Sequence, residues 1–286
     1  MEESENLLVV ILDINAKQWS QRVEEFKKVV DSVMVFCNSY LMMNHSNKLA
    51  FYTCNHSNAT ILYPAELDEN ESRILDGKFE LFVELNTILS RKIKALVNEI
   101  DGKIENQPTT SLLSGAFSQA LCYIHKKKNE DPSGQRLSSR ILVIKASPDV
   151  SSQYMPVMNC IFASQKHNIA VDSCSLFHRS GFLQQAADIT GGTYNFVDNV
   201  SGFLELLIWI YLPEKGVREK FELPTNVEID YRAACFCHNT LIEMGFVCSV
   251  CLSIYCKFMP KCLTCQTRFR LPQLPPMKGK KKKKVA

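Results

Sequence analysis

Arg140-Ile-Leu-Val-Ile-Lys-Ala146 (RILVIKA) is the stretch that decides the fold. Ile141 to Ile144 are all apolar, so both faces of an extended segment are greasy. That suits a strand inside a parallel sheet with helices on both sides, not a half-solvated antiparallel one. Downstream the pattern alternates. Helical spacing runs from Tyr154 to His167 and a strand from Ala170 to Phe177. A helix from Phe182 to Thr190 then meets the Gly191-Gly192 turn, followed by a strand from Thr193 to Val197 and a helix from Ser201 to Tyr211.

Upstream, Lys127 to Ser139 is polar and reads as a loop, preceded by a helix from Ser111 to Lys126. Leu7 to Asp13 is a second continuous apolar run and predicts another buried strand. A helix from Gln18 to Met43 follows, then short strands at Lys48–Cys54 and Thr60–Tyr63, a polar stretch to Gly77 and a long helix from Phe79 to Ile100. No helix separates the two short strands, so one antiparallel edge is expected. The whole is an α/β fold, a mostly parallel Rossmann-like sheet with helices on both faces, over residues 1–212. Residues 213–230, with Pro213, Gly216 and Pro224, read as a linker. A cysteine-rich module spans 231–271, and 272–286 is a proline- and lysine-rich tail expected to be disordered.

The net charge of +3 is unevenly placed. Lys278 and Lys280 to Lys284 stand in the tail, and without these six lysines the body is mildly acidic, unlike a general nucleic-acid-binding surface. The tail suits nuclear import first, then nonspecific contact with nucleic acid or an acidic partner, with an inert solvated tail as the plain alternative. Acids precede the Leu7–Leu12 run, so it is no secretory signal, and no segment is long and apolar enough to span a bilayer. The chain is expected inside the cell, where disulfides are rare. Of 12 cysteines, seven fall between Cys235 and Cys265, and clustering of that kind in a reducing compartment points to metal.

Cys248 and Cys251 have C-x-x-C spacing, and Cys262 and Cys265 repeat it ten residues on. Two such turns deliver four thiolates to a tetrahedral zinc ion. Four protein ligands leave no open position for water, so the expected zinc is structural. Cys235, Cys237, His238 and Cys256 remain for a second zinc in a cross-braced, RING-like order. With Cys237 and His238 taken as alternatives, that site is one ligand short, and the competing reading is thiols packing the module.

Asp13 ends the first strand on the sheet edge where α/β ligands bind. Within D-I-N-A-K it resembles the D-x-S-x-S loop of von Willebrand A domains, which holds Mg²⁺. Asn15 and Lys17 break that pattern. Thr109 or Thr110 and, beyond RILVIKA, Asp149 would complete the ligand set, and the site is expected to stand without Mg²⁺. No histidine–carboxylate pair, P-loop, G-x-G-x-x-G or nucleophile with a base is present, which removes the usual enzyme classes.

The stretches NSYLMMNHSNKLA, ALCYIHKKK, SRILVIKAS, QQAADITGGTY and DYRAACFCHNTLIEMGFVCSVCLSIYC resemble the small von Willebrand A and zinc-finger subunits (subunit 3 type) of the transcription and DNA-repair factor TFIIH. The likeness runs from Leu7 to the lysine tail. It implies a nuclear, non-catalytic core subunit acting in RNA polymerase II initiation and nucleotide excision repair. It further implies zinc at Cys248, Cys251, Cys262 and Cys265. The main partner would be the RING-like region of the complex's other von Willebrand A subunit, with only indirect links to helicases and DNA. Neither a membrane nor a small-molecule substrate is expected. Rival readings are a RING-type ubiquitin ligase, a Mg²⁺-dependent ligand-binding domain, and a zinc module stacking bases on Phe236, Phe246, Tyr255, Phe258 and Phe269.

Overall fold

The computed structural model describes residues 5–64, 78–100, 108–130, 137–218, 220–221, 229, 231–238 and 240–269. The lysine tail, the polar stretch after Pro64, the turn at 101–107, the centre of the 127–139 loop and most of 219–230 lie outside them. The chain divides into two compact units, Met1–Asp230 and Tyr231–Ala286.

The first unit is built on a six-stranded sheet. Its strands are β1 (Glu5–Asp13), β2 (Lys48–Cys54), β3 (Ala59–Tyr63), β4 (Leu137–Lys145), β5 (Ala170–Leu176) and β6 (Tyr194–Val197). The order is β3-β2-β1-β4-β5-β6, parallel except for the β2–β3 pair at one edge. The two apolar runs lie side by side, with Val9 opposite Ile141 and Ile11 opposite Val143.

Side chains alternate along β1, and each set enters its own core. Leu8, Val10 and Leu12 pack with α2 (Val23–Met43), α3 (Lys78–Ile100) and the 203–211 helix. Leu7, Val9 and Ile11 pack with α4 (Leu113–Glu130), α5 (Tyr154–Lys166) and α6 (Gly181–Thr190). Every residue from Leu7 to Leu12 is at most 1% exposed, so the unbroken apolar run is the sequence image of two cores on one strand. Each such side chain contributes about 1.5–3 kcal/mol by leaving water.

Some boundaries differ from expectation. The first helix is two pieces, α1 (Ala16–Trp19) and α2, because the Asn15 side chain caps a separate turn by accepting from Lys17 N. α4 continues to Glu130 through a polar last turn, where no apolar period could mark it. β4 begins at Leu137, since Ser138 and Ser139 pair with Asn6 and Leu7. At the close of α6, Gly191 takes φ 70° in the left-handed region. A Cβ on Gly192 would sit 2.1 Å from the Val171 carbonyl oxygen, so this turn needs both glycines.

The last helix starts as α7 (Phe203–Leu206) and widens to a π turn over Leu207–Tyr211. The segment expected as a linker is in part attached to the sheet. Beyond Pro213, α8 (Lys215–Arg218) returns Arg218 to Asp172 on β5, with contacts of 2.6 and 2.7 Å.

The second unit contains two short antiparallel ribbons. β7 (Ala233–Ala234) pairs with β8 (Leu241–Ile242), and β9 (Phe246–Val247) with β10 (Ile254–Tyr255). A lone bridge joins Lys261 and Arg268. The buried core there is Cys248, Tyr255 and Cys262, flanked by Phe236, Met259 and Phe269. Tyr255, Phe236 and Phe269 thus pack the module.

Candidate metal centres and the Asp13 loop

Two groups of ligand atoms converge in the second unit. Cys248, Cys251, Cys262 and Cys265 form one, and Cys235, Cys237, His238 and Cys256 the other. Within each, all four ligand atoms lie within 4.8 Å of one another. In the first group Cys248 Sγ is 3.6 Å from Cys265 Sγ, and Cys251 Sγ is 3.5 Å from Cys262 Sγ. Zinc–sulfur bonds of about 2.3 Å in a tetrahedron separate sulfurs by roughly 3.8 Å, so the thiols stand near the spacing zinc demands. A disulfide, at about 2.05 Å, would draw them much closer. Soft thiolate donors in tetrahedral array favour zinc over Mg²⁺ or Ca²⁺.

The loops supply hydrogen bonds to the sulfurs. Cys265 N donates to Cys262 Sγ at 3.5 Å, and the Tyr255 hydroxyl lies 3.1 Å from the same atom. Burial raises the Cys262 thiol, yet the backbone of Cys265 and Thr264 with the Tyr255 hydroxyl outweighs it and brings the pKa down to about 5. Cys235 behaves alike. Burial opposes ionisation, but the Thr240 hydroxyl and backbone prevail, and its pKa falls to about 5. Cys256 goes the other way, pushed up to about 11 by Cys237, by burial and by Cys235. Thiolates this close repel one another, and a divalent cation relieves that repulsion.

In the second group Cys237 Sγ stands 3.4 Å from Cys256 Sγ, and His238 Nδ1 is 3.2 Å from each of those sulfurs. Cys237 and His238 therefore stand together in one group with Cys235 and Cys256, giving four potential ligand atoms.

Asp13 is 1% exposed, and both its oxygens are taken by donors of the protein. Oδ1 accepts from Asn15 N (3.1 Å) and Ser111 Oγ (2.6 Å). Oδ2 accepts from Ala146 N (3.2 Å), Ser147 N (2.8 Å) and the Ser147 hydroxyl. The distant hydroxyls that reach Asp13 are those of Ser111 and Ser147, not those of Thr109 or Thr110. Asn15 turns its amide away, donating to the carbonyls of Thr110 (2.8 Å) and Pro108 (3.4 Å). Asp149 sits in a separate network. It accepts from Lys145 Nζ, from Ser180 Oγ (2.6 Å) and from Phe182 N (3.2 Å) at the start of α6.

Thus Ser111 and Ser147 occupy Asp13 with protein donors, and Lys145 pairs with Asp149 in the neighbouring network. Asp13→Ala is expected to destabilise the first unit by on the order of 3 kcal/mol, since it strands several buried donors. Millimolar Mg²⁺ should leave the melting of the unsubstituted protein unchanged. Urea unfolding with and without Mg²⁺ checks both, and a Mg²⁺-dependent rise in midpoint would contradict this account.

Ser111 and Ser147 were missed in the sequence because a hydroxyl on a loop carries no spacing signal. Asp172, Arg218 and Arg140, which form a buried charged cluster, were missed too. Among the described residues no helix is long and apolar enough to cross a membrane.

The family model described as "Transcription factor Tfb4" matches residues 5–266. The Schizosaccharomyces pombe protein named general transcription and DNA repair factor IIH subunit tfb4 is 37% identical over 275 residues, 93% of this chain and 90% of its own length. General transcription factor IIH subunit 3 of Dictyostelium discoideum is 40% identical over 258 residues, covering 86% of this chain and 68% of its own. Among solved structures, the N-terminal domain of TFIIH p34 superposes with a TM-score of 0.63 at 28% identity, covering 72% of this chain and 97% of that one.

Proposed function

The chain belongs to the transcription factor Tfb4 family of TFIIH subunits, and on that premise we propose that it is an assembly subunit of the TFIIH core whose sheet unit binds the RING-like region of the complex's other von Willebrand A subunit. Its relatives are named as subunits of a general transcription and DNA-repair factor, not as enzymes, and this chain is likewise a non-catalytic subunit in transcription and repair. Such factors work in the nucleus, and the lysine tail fits import there. One observation carries the reading: the family match extends over both units and past Cys265, so sheet and cysteine unit belong to one conserved design.

In this role Cys248, Cys251, Cys262 and Cys265 hold a structural zinc ion. Zinc supplies folding free energy to a unit with little core, and four protein ligands leave it no site for substrate. Asp13, fully engaged by Ser111, Ser147 and backbone N–H groups, supports a metal-free interface over a Mg²⁺-bridged one. Two groups of four potential ligand atoms also suit a RING-type ubiquitin ligase. Family membership is what disfavours it.

Affinity purification of the tagged chain from nuclear extract should recover the other TFIIH core subunits in near-equal amounts by quantitative mass spectrometry. Co-expression with the RING-like region of the second von Willebrand A subunit should give a one-to-one complex on gel filtration. Recovery of the chain alone, or with ubiquitin-conjugating enzymes, would overturn the assembly role. Failure of the co-expression alone would overturn only the named contact.

A further inference from the structure

The cysteine unit repeats one small device three times. Ala234 pairs with Leu241, Val247 with Ile254 and Lys261 with Arg268, and each pair closes a six-residue loop. In each loop the N–H of the first residue donates to the carbonyl of the sixth at 2.9 Å: Cys235 to Thr240, Cys248 to Ser253 and Cys262 to Thr267. The sixth residue is always Ser or Thr, and its hydroxyl lies against a loop sulfur. Thr240 is 3.4 Å from Cys235, Ser253 is 3.1 Å from Cys251, and Thr267 is 3.1 Å from Cys265. In the second and third loops the first and fourth residues are the thiols of the main site. In the first loop the first residue is Cys235 and the fourth is His238.

His238 therefore stands where the other two copies carry a ligand. Two more thiols meet it. Cys237 comes from the same loop, and Cys256 follows β10, between the two halves of the main site. Cys237 also touches the small core, but Cys256 is only half-buried and His238 is exposed, so packing into a core does not explain why all of them converge. We propose that this group binds its own zinc ion through the thiolates of Cys235, Cys237 and Cys256 and through Nδ1 of His238. The proposal does not depend on the assembly role.

The two sites interleave along the chain. The first loop and Cys256 hold one ion, and the second and third loops hold the other, so each ion pins a segment that the other site needs in place. The sites differ in charge. Three thiolates and a neutral imidazole around Zn²⁺ leave a net −1, against −2 for four thiolates. The mixed site, with its exposed histidine, gives up its ion first to a chelator.

Native mass spectrometry of the full-length protein should find two zinc ions per chain. His238→Ala and Cys256→Ser should each reduce this to one, with the Cys248 site still loaded. Should either variant fail to fold, zinc K-edge absorption on the unsubstituted protein decides. Two sites of the proposed kinds average about 3.5 sulfur and 0.5 nitrogen ligands per zinc. One zinc per chain, a content unchanged by both substitutions, a purely sulfur shell, or a Cys237–Cys256 disulfide in protein purified under reducing conditions would each overturn the proposal.

Discussion

Full-length protein carrying Cys248→Ser loses the zinc of that site and the order of residues 231–269, while the sheet unit unfolds at the same urea concentration as before. The cysteine unit has almost nothing else to hold it. Its buried apolar core is Cys248, Tyr255 and Cys262, and two of those three are proposed ligands. Larger apolar side chains face outward, with Met244 at 88% and Leu252 at 71% exposed. A segment of this size rarely buries enough surface to fold alone. Structural zinc supplies about 10–16 kcal/mol in comparable small modules, more than a few short ribbons can replace. Cys248 is also enclosed, at 1% exposed. Its N–H donates to the Ser253 carbonyl and its carbonyl accepts from Leu252 N; serine keeps these backbone bonds and removes only the thiol, so the loss read is that of the metal ligand. Hydrogen exchange read by mass spectrometry, with zinc content measured in parallel, separates the outcomes. Protection of 231–269 that survives both the substitution and a strong chelator would mean that thiol packing, not metal, orders the unit.

What the sequence disclosed follows from how each feature is written in it. RILVIKA and the Leu7–Leu12 run were legible because a strand covered on both faces must be apolar at every position, which few other structures require. The C-x-x-C pairs were legible because a tetrahedral ion needs ligands at fixed short spacings. The second ligand group was only half legible. Its loop reads C-F-C-H-N-T, beside C-S-V-C-L-S and C-L-T-C-Q-T, and aligning the three on the final hydroxyl places His238 in register with Cys251 and Cys265. Counting cysteines alone hides that register, since one ligand is histidine. The hydroxyls that saturate Asp13 come from residues 98 and 134 positions away, and nothing local marks them. Arg218 was lost for a related reason. It stands in a proline- and glycine-bearing segment without apolar period, which composition assigns to a linker, yet its guanidinium is among the buried charges of the sheet unit.

That burial sets the other large effect expected: Asp172→Ala destabilises the sheet unit by about 3–5 kcal/mol, and so does Arg218→Ala. Asp172 is 1% exposed on β5, a strand otherwise filled by small and apolar side chains. Its two oxygens meet Arg218 in a fork at 2.6 and 2.7 Å, and Thr193 N donates to Oδ1 at 3.0 Å. Arg140 approaches to 3.8 Å from the next strand. Both arginines also bind the end of the last helix. Arg140 donates to the carbonyls of Tyr211, Leu212 and Pro213, and Arg218 to those of Tyr211 and Pro213. Carbonyls at a helix end have no partner within the helix, so the cluster satisfies them while the single aspartate offsets one of the two guanidinium charges. Removing either partner of the fork leaves a charge in a poorly hydrated place, and that uncompensated charge, more than the lost contact, makes up most of the cost. The double variant Asp172→Ala with Arg218→Ala should for that reason be well short of the sum, with a coupling energy of about 2–3 kcal/mol in a urea double-mutant cycle. Additive losses would mean that water enters the cluster and screens it. The Tyr211 hydroxyl, which donates to the Ser173 carbonyl at 2.6 Å, would then be the main tie between the π turn and the sheet.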